Sequence, residues 1–500
     1  MADVRFGRAT EDLPEQLAFG DWGALDTSAA LDAFQETLDY FDQEEVIKGE
    51  EARRQMILAA RRYYDGNHVK PLKVKPGEPD DNVLVNLCRS ILDDAVSWLF
   101  GNPETGVLTM EIRSESGDEN ETNEADGKLL DGIYERSGGF NFFKRLGMRG
   151  SIAGHFFIKI VPEDGELPKL RVLDPLLTTV RTDSADIDRA IAYKVEWKRV
   201  EAEPGARRKD AYIYRQLAVE VSEGVWIVGD FKSKDRRKRQ WQLIEAWAWP
   251  YQWSPIVDGP NMEAGWGYYG QSDLEDVAGI NDAINFLSSN TMRILKYHAH
   301  PKTVGTGMEA SELQETAIDS FWTIPNENAR ITNLEMQSDL QSSMAFLDFL
   351  KTSFWSIGRG LDPATFKDKI GQITNFALKV LAIRMLHKTG DKRLTYGKAL
   401  RTVNTRVLEM LGRPGRETII TWPDPMPQDP VDEMKVLEQE VALEITSRQT
   451  ASEERGRSWK LEQERIRKER QERVNLGEYL LREFDRGGGP LNQSEETDAE

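Results

Sequence analysis

Apolar residues recur at helical spacing through the middle of the chain, from Gln271 to about Leu411. In QSDLEDVAGINDAINFLSSNTMRILKY, Leu274, Val277, Ile284, Leu287 and Leu295 form one stripe, which Ala278, Ile280, Ala283 and Ile294 widen. Ser272, with Glu275 three residues later, predicts a capping box that opens this helix. A return helix over Asp339–Ile357 carries two stripes: Leu340, Met344, Leu347 and Phe354 on one side, and Phe346, Phe349 and Trp355 on another. A surface helix buries one face, so this pattern predicts neighbours on both flanks, from a crowded core or from a ring of identical subunits. Between the two helices, His298–Gln337 reads as a compact insert with strands at PKTVGTG and ARITNLEM and a helix over Glu309–Trp322. After a polar, glycine-containing loop, Thr374–Leu411 is helical, with a break expected at Thr389-Gly390-Asp391.

Residues 1–30 are polar with scattered glycines and read as an arm. Thr27–Tyr64 is helical, carrying Leu31, Phe34, Leu38, Val46, Met56, Ile57 and Ala60, and it ends at the Asp65-Gly66 turn. HVKPLKVKPGEPDDN predicts a loop or short hairpin, and Val83–Phe100 a helix stopped by Gly101-Asn102-Pro103. From Pro103 to Pro250 the period falls to two. HFFIKIV, KLRVLDP, AIAYKVEWKRV, AYIYRQLAVEV, GVWIVGDF and WQLIEAWAW read as strands, with helices over Thr122–Ser137 and Phe140–Gly150. Ile191, Tyr193, Val195 and Trp197 share one strand face and charges the other, which predicts a half-buried antiparallel sheet and an α+β domain. The prolines of RPGRETIITWPDPMPQDP mark a domain edge, helices follow over Val431–Ile445 and Ser458–Arg482, and the tail is expected to be disordered.

Five hundred residues allow about three domains. A hydrophobic share of 39% with 13 Trp fits a globular chain, and 30% charged residues with a mean hydropathy of -0.56 imply a large wet surface. The net charge of -20 argues against a surface that grips nucleic acid everywhere, because phosphate binding relies on clustered Lys and Arg. It leaves room for DNA that slides past. Cys88 is the single cysteine, so no intrachain disulfide and no thiolate zinc cluster can form, and its apolar surroundings predict a buried structural thiol. The charged N-terminus has no apolar signal core and no run reaches the length of a membrane span, so an intracellular, soluble chain is expected.

Candidate chemistry is sparse. GWGYYG (Gly265, Gly267, Gly270) matches a dinucleotide fingerprint, but WSPIVDGPNMEA before it is read as no strand, and Asn290 stands where an acidic residue should hold ribose. Asp174 with Glu196-Trp197-Lys198 loosely has the form of a nuclease metal constellation, but nothing else supports a metal, and cross-strand charges on a wet sheet face are the preferred reading. His298 and His300 lack a third ligand among His68, His155 and His387. KSKDRRKRQ (Lys232–Gln240) is a solvated turn or a nucleic-acid patch, and Trp241, Trp247, Trp249 and Trp253 alternate as strand core. No catalytic residue, metal site or cofactor is assigned.

Four stretches resemble the portal proteins of tailed bacteriophages, of the siphophage type. They are YYDGNHV (Tyr63–Val69) with NVLVNLCRSILDDAVSWLFGNP (Asn82–Pro103), SDLEDVAGINDAINFLSSN (Ser272–Asn290), GQITNFALKVLAIRMLHKTGDKR (Gly371–Arg393), and EITSRQTASEE with LEQERIRKER. They cover about a third of the chain, in family order and spacing. Asn375-Phe376 departs from the small Ser or Gly pair that family members often carry.

The resemblance implies an α+β portal subunit: an arm at 1–30, a mixed α/β wing at 31–270 and 376–424, stem helices at 271–297 and 339–357, a small α/β clip at 298–338, a tunnel loop at 358–375 and a helical crown at 425–500, with a disordered tail from about 486. It implies a homo-oligomeric ring, usually of twelve subunits, at one capsid vertex of the virion, assembled in the host cytoplasm. Double-stranded DNA would pass without sequence specificity. Partners would be the terminase large subunit, head-completion or adaptor proteins, and the major capsid and scaffolding proteins, with no membrane, no cofactor and no enzymatic activity. On this reading Leu340, Met344, Phe346, Leu347, Phe349, Phe354 and Trp355 face neighbouring subunits. Arg359, Lys367 and Lys369 approach DNA, with Gly358, Gly360 and Gly371 as hinges, while Glu309, Glu312, Glu315 and Asp319 lie on the docking surface. The alternatives are a nucleotide-binding enzyme using the GWGYYG turn and a helical scaffold or adaptor protein.

Overall fold

The structure is a computed structural model, and it describes residues 27–74, 76–77, 80–102, 106–114, 120–163, 165–202, 209–234, 240–299, 302–306, 330–334, 340–362, 375–424, 430–453 and 458–471. The chain divides into two compact units, Met1–Pro425 and Met426–Glu500. The first begins with α1 (Thr27–Phe41), α2 (Glu44–Tyr64) and α3 (Leu87–Phe100). Asn82 closes the loop before α3, accepting the Leu72 N–H at 2.8 Å and donating to the Leu72 carbonyl at 3.0 Å. Asn86 caps α3 by accepting the Arg89 N–H, and Gly101 ends it at φ 80°, a backbone that side chains resist.

Strands β1 (Gly101–Asn102), β2 (Gly106–Val107) and β3 (Thr109–Ser114) lead to α4 (Asn120–Ser137) and α5 (Phe140–Ala153). Then come β4 (His155–Val161), β5 (Lys169–Val172), β6 (Thr178–Thr182), β7 (Ala190–Ala202), β8 (Lys209–Ser222), β9 (Val225–Lys234), β10 (Gln242–Ala248) and β11 (Ile256–Pro260). β10-β9-β8-β7-β6 form a meander and β11-β4-β5 a second sheet. Next are α6 (Ala278–Ala299), β12 (Lys302–Thr306), β13 (Arg330–Leu334), α7 (Leu340–Ile357), α8 (Asn375–Leu381) and α9 (Ile383–Met410). β12 pairs with β13, and β14 (Arg416–Thr421) returns to pair with β3. Every pairing among the described residues is antiparallel, which is the α+β class that the change of period predicts.

Three expectations are corrected. WSPIVDGPNMEA does contain a strand, β11, with Val257 opposite Ile158; Pro260 is tolerated because β11 is a sheet edge. The charged face of β7 is wet only towards its end, since Lys194 and Glu196 are buried and Lys198 is exposed. Lys194 donates to Glu50 of α2 at 2.6 Å, and Glu196 accepts from Arg215, its cross-strand partner on β8, which also reaches Asp42. Helices α1 and α2 therefore cover the face that alternation assigned to water, and pairing offsets the desolvation. Finally, α9 runs unbroken through Thr389-Gly390-Asp391; the interruption falls at Ala382. Gly390 costs a helix about 1 kcal/mol, a deficit that buried contacts on the opposite face of α9 exceed.

The largest core gathers Ile91, Leu99 and Phe100 of α3, Phe142 and Leu146 of α5, Phe156 and Ile158 of β4, Val277, Ile284 of α6, Phe354 of α7, and Tyr396 and Val403 of α9. Cys88 lies within it, and burial pushes its thiol up to about 12, as expected of a structural cysteine. The second unit contains α10 (Pro430–Ala442), α11 (Arg448–Glu453) and α12 (459–471). Ser447 accepts the Thr450 N–H at 3.1 Å at the start of α11.

Candidate functional site

One helix organises the region to which both predicted stem helices belong. Asn281, Asn285 and Ser289 recur every four residues along α6, on one face. That face meets the extended segment before α3. Asn281 accepts the Leu87 N–H at 3.1 Å and donates to the Val85 carbonyl at 3.0 Å. Asn285 accepts the Val85 N–H at 2.7 Å, and Ser289 accepts the Val83 N–H at 2.9 Å and donates to the Val83 carbonyl at 3.2 Å. A helix advances about 6 Å per four residues and an extended chain about 6.7 Å per two, so the two repeats stay in step. Tyr63 adds a bond to Asp282 at 2.5 Å and Lys296 an ion pair to Asp81 at 2.8 Å.

The foot of α6 is held by buried charge. Asp273 lies between Lys388, at 3.2 Å, and Lys392, both from α9. Lys388 also donates to the Gly358 carbonyl just past α7, at 3.0 Å, and Lys392 to the Ser151 hydroxyl of α5, at 2.9 Å. Burial opposes the Asp273 charge, but the two ammonium groups outweigh it and hold the carboxyl well below its ordinary range. Burial brings Lys392 down to about 8 against the pull of Asp273. One cluster thus joins the start of α6, the end of α7, α9 and α5.

This cluster displaces the predicted capping box. Ser272 donates to the Ser151 and Ile152 carbonyls at 3.0 and 2.8 Å and accepts the Leu274 N–H; residues 273–277 form a turn, and α6 starts only at Ala278. Tertiary partners outbid the local motif.

The predicted subunit-contact residues divide. Phe354 and Trp355 are buried in this chain's own core, and Leu347 packs against it, so these three are core rather than contact residues. Met344, Phe346 and Phe349 point outward at 60%, 52% and 62% exposure, with Phe346 and Phe349 stacked at 6.0 Å. Phe286, Met292 and Leu295 of α6 are exposed too. Leu340 opens α7, and its side chain lies outside the described residues.

Of the predicted DNA-facing loop, Gly358, Arg359 and Gly360 are described; Lys367, Lys369 and Gly371 lie outside the described residues, as do Glu309, Glu312, Glu315 and Asp319. Gly358 and Gly360 are required by close packing: a Cβ would come within 2.2 Å of the Ile91 side chain at the first and 2.7 Å of the Trp355 ring at the second. Arg359 holds a left-handed backbone, φ 53°, and ion-pairs with Asp391 at 3.5 Å. The Gly360 N–H reaches the Trp355 carbonyl at 2.9 Å and the Arg359 N–H the Ser356 carbonyl at 3.4 Å. These are the two bonds of a Schellman cap, with arginine where glycine is usual.

The competing chemistries resolve into structure. Asp174 accepts a bidentate contact from Arg61 at 3.0 Å, and Glu196 serves Arg215. His298 ends on α6, not on a strand, and His300 lies outside the described residues. Trp249 is buried as expected, whereas Trp241 lies half-buried under the Arg215 guanidinium at 4.0 Å. In GWGYYG, Tyr268 donates to Asp258 at 2.5 Å and Tyr269 accepts the Val180 N–H at 3.1 Å. The motif follows an antiparallel edge strand and ends eight residues before α6, so it does not open a helix as a dinucleotide fingerprint does. Among the described residues, no three His, Cys, Asp or Glu side chains gather where they could hold a metal ion, and no helix is long and apolar enough to cross a membrane. Sequence reasoning missed Asn281, Asn285, Ser289, Asp273, Lys388 and Lys392. The polar residues at every fourth position of an otherwise apolar helix were the available signal for the first three.

No curated protein matches this chain. Among solved structures it is similar to a chain of the virion of the native gene transfer agent particle, at 15% identity and TM-score 0.41, covering 80% of this chain and 92% of that one. It is also similar to a chain of the neck of that particle, at 13% identity and TM-score 0.37, covering 73% and 87%. The family model described as phage portal protein, SPP1 Gp6-like, matches residues 43–476, and that family is structural and non-enzymatic. The match spans both the four stretches first read from the sequence and the α6 foot and ladder, and this chain belongs to the SPP1 Gp6-like family of phage portal proteins.

Proposed function

We propose that copies of this chain assemble side by side, through the outward faces of α6 and α7, into a ring that conducts double-stranded DNA at one capsid vertex during packaging and ejection. The observation that carries the proposal is the exposure of Met344, Phe346 and Phe349 on α7 and of Phe286, Met292 and Leu295 on α6, two helices that pack on the main core through Ile284, Leu347, Leu350, Phe354 and Trp355. A closed ring needs such a contact between unlike faces of identical subunits, and an obligate one buries more than about 2,000 Å². Family membership supports the same reading. The terminase large subunit, head-completion proteins and the capsid and scaffolding proteins are the partners this role requires, with assembly in the host cytoplasm and residence in the virion.

DNA must slide, so the channel wall must repel more than it binds. A net charge of -20 suits that, with a few cations to centre the duplex. Arg359, Lys367 and Lys369 are proposed for this task, and Glu309, Glu312, Glu315 and Asp319 for terminase or adaptor docking. Negative-stain imaging of purified protein tests the assembly: a ring with a central hole is expected, and a monodisperse monomer at high concentration would favour a helical scaffold instead. Lys367→Ala with Lys369→Ala should leave rings intact and reduce the DNA packaged per head; normal packaging would remove these lysines from the channel.

A further inference from the structure

The GWGYYG motif is left without a role by the account above, and its geometry is unusual. Residues 262–271 form a loop whose ends are tied, the Gln271 N–H to the Met262 carbonyl at 2.9 Å and the Asn261 amide to the Gln271 carbonyl at 3.1 Å. Tyr268 and Tyr269 pin its return limb, through Asp258 and Val180, and the Arg53 guanidinium lies 4.4 Å from the centre of the Tyr269 ring. Gly270 is locked by close approach, because a Cβ there would stand 2.4 Å from the Met262 carbonyl oxygen. Gly265 and Gly267 are different. Both have open space around them, yet both have positive φ, 75° and 79°, so glycine is needed there for backbone direction alone.

Those two turns place Trp266 at the tip. It is 86% exposed, more than any other large apolar residue described. A large apolar ring on a loop tied at both ends loses little freedom when it is buried against a partner, and tryptophan is over-represented among the residues that dominate binding energy. The construction is that of a preformed anchor.

We infer that Trp266 anchors the contact between neighbouring copies of this chain, an inference that rests on the ring proposed above. Two observations favour a second copy over an unrelated protein. One aromatic side chain buries about 150–250 Å², against about 800 Å² per partner in a stable interface. The tip around it offers only Glu263, Ala264, Gly265 and Gly267, so the remaining area must come from elsewhere on the same subunit. The foot of the loop supplies the link. Asn261, which ties the loop, also contacts Asp273 at 3.4 Å, and Asp273 is the carboxylate on which the start of α6, α9 and the end of α7 converge. The loop, the turn that leads into α6 and the end of α7 thus share one buried foot, and on this inference the same neighbouring copy takes both contacts.

Oxidative footprinting of the full chain, read by mass spectrometry at Trp266, tests this. Buried Trp249 serves as the reference, since it is shielded in either state. Trp266 should oxidise rapidly in dilute, unassembled protein and be protected in isolated rings. Trp266→Ala should raise the concentration for half-assembly by about thirtyfold, the loss typical of a hot-spot aromatic, with Trp266→Phe intermediate and thermal unfolding of the unassembled chain unchanged. Rings in which Trp266 oxidises at the unassembled rate would overturn the inference and leave the ring standing. A chain that forms no ring at any concentration overturns both.

Discussion

The side-chain oxygen of Asn285 accepts the backbone N–H of Val85 at 2.7 Å, joining residues 200 positions apart in sequence. With Asn281 and Ser289 it makes α6 serve as the hydrogen-bonding partner of an extended segment that pairs with no strand among the described residues. The consequence is mechanical: α6 is fastened along its length to the segment that caps α3, so a load on α6 is passed into the main core.

Asn285→Leu keeps the volume and removes the acceptor, leaving the Val85 N–H without its partner at a cost of about 1–3 kcal/mol. The expected result is a lower thermal midpoint and faster hydrogen exchange at Val85, with the core amides of α3 unaffected. Unchanged exchange at Val85 would show that the bond contributes nothing.

Asp273 gives a pH test. Burial works against its charge, but Lys388 and Lys392 prevail, so its folded-state pKa lies below the ordinary 3.8. A depressed carboxyl stabilises the fold at pH above 3.8 and loses that contribution as pH falls from there through the folded-state value. Asp273→Asn leaves two buried ammonium groups unpaired and should cost about 3–5 kcal/mol near neutrality. In urea titrations, the gap between wild type and variant should narrow below pH 3.8. A gap independent of pH would exclude the ion cluster as its cause.

The sheets and most helix boundaries were legible from period and turn residues, because local preference and tertiary burial agree there. HFFIKIV became β4 without change. Two of the failures share one cause, which is that long-range partners redirect polar side chains. Ser272 had a good local cap available and served Ser151 and Ile152 instead. Lys194 and Glu196 looked like a wet face until α1 and α2, more than a hundred residues earlier, covered them. The doubly apolar return helix predicts neighbours on both flanks; Phe354 and Trp355 find theirs within the chain, while Met344, Phe346 and Phe349 are exposed. Of the predicted contact residues whose side chains are described, Met344, Phe346 and Phe349 remain for a neighbour.

That division makes the assembly prediction specific. Phe346→Ser with Phe349→Ser changes exposed positions, so the unassembled chain should keep its stability within about 0.5 kcal/mol. Ring formation should be lost, seen by mass photometry as a shift to single chains. Phe354→Ser should do the reverse kind of damage, lowering the thermal midpoint before any question of assembly arises, because its ring is fully buried. Equal loss of assembly and stability in both variants would dissolve the distinction.

Arg359 closes α7 in a left-handed backbone that costs a non-glycine residue about 1–2 kcal/mol. Its ion pair with Asp391 is more than half exposed on both sides and so returns little of that cost. Arg359→Gly should therefore raise the thermal midpoint of the unassembled chain, and Asp391→Ala should leave it nearly unchanged. If the guanidinium is kept for DNA, as proposed, the stabilised glycine variant should assemble normally and package less DNA per head, with the defect deepening as salt is lowered and the channel's acidic wall is less screened. A glycine variant that is both more stable and fully competent in packaging would reduce Arg359 to a strained helix cap and remove it from the channel.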